Sequence, residues 1–179
     1  MKSRSLSGHH IMSLQLAILL ALAAMQIRAQ DCVDTIASTT NISHYRINKD
    51  GTVYDKKHDV EWMRCSIGQT WRNGSCLGEA ELVTWEKASN AANTSRFAGH
   101  SSWRIPTIYE LSRITELRCQ QPAINLELFP NTLSGDYWTA DTFVNDAAMA
   151  WQVHFMYGEN HTVKKSTRAA VRLIRSVQR

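Results

Sequence analysis

The four cysteines, Cys32, Cys65, Cys76 and Cys119, carry the most reactive side chains in this 179-residue sequence. As thiolates they would be nucleophiles, as a cluster they would hold zinc, and in pairs they would form disulfides. None of their spacings is the C-x-x-C of a zinc site. Residues 1–29 read as a cleaved export signal. Lys2 and Arg4 precede a mostly apolar run from Ile11 to Met25, and Ile27-Arg28-Ala29 ends in a small residue suited to cleavage. The run is shorter than the roughly 20 apolar residues that span a bilayer. Cys32 does not read as a lipid-attachment cysteine, because Asp31 stands where a small residue is needed. An even cysteine count in an exported chain favours disulfides. Of the three possible pairings we expect Cys65 with Cys76, closing a short polar loop that holds Gly68, Asn73 and Gly74. We expect Cys32 with Cys119, tying the mature N-terminus to the middle of the domain. Loop-closure entropy assigns the two bridges about 3 and about 4.6 kcal/mol. No thiol then remains as a nucleophile.

Other sets are weaker. There is no G-x-S-x-G, no H-E-x-x-H and no phosphate-cradling glycine loop. His44, His58, His100, His154 and His161 are scattered and read as solvated. Asp50 and Asp55 flank Gly51, but no Glu closes a calcium loop, so the stretch reads as a hairpin turn. Of the six tryptophans, Trp62, Trp85, Trp103, Trp138 and Trp151 read as core. Trp71, inside the Cys65–Cys76 loop, reads as the exposed aromatic. The expected catalytic, metal and cofactor sets are therefore empty.

Removing 29 residues from 179 leaves 150, enough for one domain with a real core. Lys2, Arg4 and Arg28 leave with the signal, so the 20 basic residues fall to 17 against 16 acidic ones. That balance gives no reason to expect nucleic acid as a partner. Residues 30–44 read as an extended, polar lead-in and residues 45–179 as the domain. Short strands are expected at Tyr45 to Ile47, Thr52 to Tyr54 and Val60 to Met63, with Asp50-Gly51 turning the first pair. Thr84 to Ala92 places Trp85, Ala88 and Ala92 on one helical face. Thr107-Ile108-Tyr109-Glu110 is a capping box that opens a second helix, expected to run to about Arg118 with Ile108, Leu111 and Leu117 inward and Tyr109 beside them. Strands return at Tyr137 to Ala140, at Trp151 to Phe155 by alternation, at Thr162 to Lys164 and at Ala169 to Ile174. In the last, Arg172 is expected on the outer face. The order predicts an α+β fold, antiparallel strands with two helices, stapled by disulfides.

A longer pattern runs through the same residues. Asp50-Gly51-Thr52-Val53-Tyr54-Asp55 leads to Glu61-Trp62-Met63-Arg64-Cys65 and Gly68-Gln69-Thr70-Trp71. Ser102-Trp103-Arg104-Ile105-Pro106-Thr107 with Glu110-Leu111 forms its centre. Pro122-Ala123-Ile124-Asn125, Phe129-Pro130-Asn131-Thr132, Ala150-Trp151-Gln152-Val153 and Val171-Arg172-Leu173-Ile174-Arg175 complete it. Over residues 45–175 the chain resembles the Lcl C-terminal domain family, named for the C-terminal domain of the Legionella collagen-like adhesin. The resemblance implies a C-type-lectin-like fold. Trp103-Arg104-Ile105-Pro106-Thr107 is similar to a motif of the formylglycine-generating enzymes. In it Trp103 would fill the core, Arg104 would hold a carboxylate or carbonyls, and Pro106, Thr107 and Glu110 would start the helix. The cysteine pair of those enzymes has no counterpart after Cys119, so no enzyme is implied. Gln121-Pro122-Ala123 lacks the second oxygen ligand of calcium-dependent lectins, and the adhesin's collagen-like stalk is missing.

Together with the export signal, the resemblance implies an exported, non-catalytic binding module, secreted or periplasmic, with no transmembrane anchor once the signal is removed. Its ligand would be a polyanionic, glycosaminoglycan-like glycan or an envelope or host surface component. The alternative is a protein–protein module displaying loops on a lectin-like scaffold. Lys164, Lys165 and Arg168 are the first candidates for polyanion contact, and Lys56 and Lys57 the second. Arg172 and Arg175 are expected to pair with carboxylates such as Glu61 or Asp136. Peptide mapping of the unreduced protein should recover Cys65–Cys76 and Cys32–Cys119; a Cys32–Cys65 peptide would overturn the account of how the N-terminus is held.

Overall fold

A computed structural model describes residues 30–177; the expected export signal, residues 1–29, and residues 178–179 lie outside the described residues. Its strands are β1 (Asp31–Cys32), β2 (Tyr45–Ile47), β3 (Thr52–Asp55), β4 (Val60–Met63), β5 (Thr70–Arg72) and β6 (Ser75–Leu77). Helices α1 (Trp85–Thr94) and α2 (Ile108–Ser112) follow. The chain closes with β7 (Cys119–Gln120), β8 (Asp136–Thr142), β9 (Met149–His154), β10 (Glu159–Lys164) and β11 (Ile174–Ser176). This is the α+β arrangement of antiparallel sheets and two helices that the element order predicts.

Turn chemistry sets the first sheet. The Asp50 carboxylate accepts the Thr52 N–H (3.0 Å) and hydroxyl (2.7 Å), and Gly51 takes φ +88°, which strains any residue with a side chain. A Cβ at Gly51 would also lie 2.5 Å from the Trp71 ring. The β2–β3 hairpin so formed grows into the sheet β11-β4-β3-β2, and a second sheet has the order β10-β9-β8. Two short ribbons carry cystines. Cys32 faces Cys119 across β1–β7 and is bonded to it. Cys65–Cys76 closes the loop that contains the β5–β6 ribbon.

The core has two parts. Val53, Trp62, Leu111, Ile114, Phe129, Tyr137 and Phe155 are central to one, and Val83, Ala88, Trp103, Ile105 and Trp138 to the other. Residues 169–174 run between them. Ala170 and Ile174 pack into the first part, while Ala169, Val171 and Leu173 pack into the second. The backbone of this segment bridges to Val83 at Ala169, to Tyr137 at Ala170 and to Arg104 at Ile174.

Several expectations change here. Regular strand starts only at Ile174, not Ala169. Arg172 does not face outward but is wholly buried, because both sides of its segment meet core. Among the described residues it pairs with no carboxylate; Arg175 does, with Glu61 at 2.6 Å. The second helix ends at Ser112 rather than near Arg118. Ile114 and Thr115 donate to carbonyls three residues back, the Thr115 hydroxyl binds Ser112 O at 2.7 Å, and Glu116 N turns to Ala123 O. Leu117 and Tyr109 are consequently exposed, while Leu111 is buried. In β9, Gln152 pairs with the buried Trp138 and shares its inner face, so Trp151 lies half-exposed against Phe143. Trp85 is also half-buried, and so is Trp71.

The lead-in, residues 30–44, is fastened by one buried carboxylate. Glu116 accepts the backbone N–H groups of Thr39 (3.0 Å) and Thr40 (3.1 Å) and the Ser38 hydroxyl. Burial pushes the Glu116 carboxyl up, but these hydrogen bonds outweigh it and hold the group below the ordinary glutamate value.

Two measurements check this description. Trp103, 3% exposed, should cost about 3–5 kcal/mol as Trp103→Ala in urea unfolding, whereas Thr107→Ala, a lost helix cap, should cost about 1 kcal/mol. Similar small losses for both would refute the buried role of Trp103. Glu116 is depressed in the folded state, so its stabilisation is complete above the unfolded pKa of about 4.3 and is lost as pH falls through the folded value. Between pH 7 and pH 3 the wild type should lose more stability than Glu116→Gln; parallel curves would contradict the assignment.

Candidate functional site

The Trp103-Arg104-Ile105-Pro106-Thr107 stretch is the joint between the two core parts. The Trp103 indole N–H donates to Phe97 O (3.1 Å), and its ring meets the Phe97 ring edge-on. Arg104 holds Glu110 with two parallel hydrogen bonds of 2.7 and 2.6 Å. Glu110 also accepts Thr107 N–H (2.8 Å), and the Thr107 hydroxyl accepts Glu110 N–H (3.2 Å), completing the capping box. Asp141 takes the next free amide, Ile108 N–H, at 2.6 Å. Burial pushes the Glu110 carboxyl up, but Arg104 and Thr107 together bring it below its ordinary value. Arg104 is raised, first by its hydrogen bond to Glu110. These side chains spend their polar atoms on one another, and their product is a rigid start for α2.

The first basic group lies where β10 ends. Lys164 is exposed. Lys165 Nζ sits 4.2 Å from the centre of the Trp85 ring and donates to Thr142 Oγ1 at 2.9 Å. Arg168 Nε donates to Leu82 O at 2.9 Å. Two of the three cations are thus anchored through side-chain contacts rather than loosely solvated. The second group, Lys56 and Lys57, is exposed in the β3–β4 turn, whose tip is ordered by Asp55 accepting Lys57 N–H and His58 N–H. Trp71, read from the sequence as an exposed aromatic, instead lies over the Arg64 guanidinium at 4.5 Å and donates to Lys49 O.

The structure also forms a cleft that sequence spacing did not reveal. Its inner part, of about 60 Å³, is lined by Asp55, His58, Val60, Trp62, Glu110, Arg113 and Ile114. It shares Asp55, His58 and Arg113 with an outer groove bounded by the lead-in. His58 Nδ1 contacts Asp55 Oδ2 at 2.7 Å. Tyr45 lines the outer groove, and burial with the nearby Asp55 charge pushes its hydroxyl up to about 12, so it stays a phenol. Only the Asp55-Lys56-Lys57-His58 turn was locally legible; Arg113 and Thr40 arrive from distant elements. Among the described residues, no group of three His, Cys, Asp or Glu side chains converges as a metal site, and no helix is long and apolar enough to cross a membrane.

No curated protein matches the chain. The family model of the Lcl C-terminal domain matches residues 51–175, spanning β3 and β4, the Trp103–Glu110 joint, both helices and the buried 169–174 segment. With most of its length so matched, the chain belongs to the Lcl C-terminal domain family.

Proposed function

We propose that this chain is an exported, non-catalytic binding module that recognises a polyanionic glycan. Export would proceed through residues 1–29, and the mature domain would act in the periplasm or outside the cell. One observation carries the ligand class: at the end of β10, Lys164, Lys165 and Arg168 stand in one five-residue stretch with no ion pair among the described residues. The side-chain contacts of Lys165 and Arg168 reduce the rotamer entropy that holding an anion would otherwise cost. The pairing of Lys165 with Trp85 puts an aromatic surface beside the charge. Lys56 and Lys57 provide a second basic element. Two cystines and a disulfide-stapled frame suit life in an oxidising compartment, and the adhesin for which the family is named supports attachment over chemistry. A protein surface is the alternative ligand, docked on the loops between strands.

Charge-driven binding weakens steeply with salt. The wild type should be retained on a heparin column and elute at higher salt than a Lys164→Glu, Lys165→Glu, Arg168→Glu variant. Equal elution would remove this site. A wild type that fails to bind at low salt would remove the polyanion and favour the protein–protein module.

A further inference from the structure

Trp62 and Thr40 are buried, at 2% and 4% exposure, yet the Trp62 indole N–H and the Thr40 hydroxyl find no hydrogen-bond partner among the described residues. Such groups are rare in folded proteins and each costs free energy when left bare. Trp62 lines the inner cleft described above, and Thr40 lines the outer groove continuous with it. An indole N–H can only donate, so what completes it must be an acceptor.

The charges around the cleft point the same way. Its two acids are already engaged. Asp55 accepts Lys57 N–H and His58 N–H and contacts the His58 ring, while Glu110 is held by Arg104 and Thr107. Its cations are not: Lys57 and Arg113 are both exposed at the rim and belong to no ion pair among the described residues. The inner part, about 60 Å³, has room for a group of only a few heavy atoms. The outer groove, about 290 Å³ and lined by Thr39, Asn41 and His44, is wide enough for a larger hydroxylated body.

We propose that this cleft is an oxyanion site. A single sulfate- or phosphate-type group enters it between Arg113 and Lys57 and accepts from the Trp62 indole N–H. The site is independent of the basic edge at Lys164–Arg168: it takes one compact group in a cavity, not an extended polyanion on a surface.

The test is an NMR titration of the full, oxidised protein that follows the Trp62 indole N–H. Sodium sulfate and glucose 6-sulfate are added in separate arms, with sodium chloride at matched ionic strength and neutral glucose as controls. A saturable Trp62 shift in a sulfate arm, absent from both controls, is the expected result. Tighter binding of glucose 6-sulfate would identify a sugar-borne anion as the ligand, and equal binding would identify the free anion. Arg113→Ala, an exposed substitution, should weaken half-saturation by about fivefold or more, as expected for loss of roughly 1 kcal/mol. The Lys164→Glu, Lys165→Glu, Arg168→Glu variant should titrate like the wild type, so this site and the heparin surface succeed or fail separately. No Trp62 shift beyond the chloride control would mean that the cleft holds water only, and an Arg113→Ala titration identical to wild type would likewise overturn the proposal.

Discussion

A guanidinium buried without a counter-charge is the constraint around which this fold is arranged. Arg172 is fully enclosed, and among the described residues no carboxylate pairs with it. Desolvation lowers its pKa from the usual arginine value. Moving such a charge out of water costs several kcal/mol unless its donors are satisfied. Backbone and hydroxyl oxygens satisfy its two terminal nitrogens, Nη1 and Nη2, while Nε has no partner among the described residues. Met63 O accepts at 3.1 Å, Arg64 O accepts beside it, and Thr132 Oγ1 accepts at 2.8 Å. The ring centres of Phe129 and Tyr137 lie 4.8 and 5.9 Å from the guanidinium carbon. These partners come from the end of β4, the 129–132 loop and β8. One side chain therefore demands that three distant segments meet, and removing any of them would leave a buried cation bare.

Arg64 repeats the device at the edge of the core. Its guanidinium donates to Leu128 O (2.8 Å) and Glu127 O (2.6 Å), so two arginines clasp the 127–132 loop, Arg64 through its carbonyls and Arg172 through the Thr132 hydroxyl. That loop has no regular structure of its own to occupy those carbonyls. Trp71 covers Arg64, and Gly51 lets Trp71 come close. The hairpin turn, the Cys65–Cys76 loop and the buried loop are thereby parts of one contact chain.

The acidic residues explain how a nearly charge-balanced domain presents basic surfaces. Glu61, Glu110 and Glu116 are spent inside, on Arg175, on Arg104 with Thr107, and on the lead-in amides. Asp55 orders its own turn. Lysines of the β3–β4 turn and of the segment after β10 are left facing solvent or aromatic rings. Local charge on this protein follows from which carboxylates the fold consumes, not from the total.

Much of this was legible in the sequence because it is local. The Asp50-Gly51 turn, the Thr107–Glu110 capping box and the helical spacing of Ala88 and Ala92 each depend on residues within one or two turns of chain, and the element order fixed the α+β class. The family pattern of Trp103-Arg104-Ile105-Pro106-Thr107 was legible for the same reason. Tertiary structure decided what periodicity cannot carry. A segment with core on both sides, such as 169–174, shows alternation but gives no sign that its arginine faces inward. Past the early end of helix α2, Glu116 binds residues 38–40, some 76 positions away in the chain, and no local signal reports that contact. The cleft joins Thr40, Trp62 and Arg113 from three separate elements, so its chemistry exists only once long-range packing has brought them side by side.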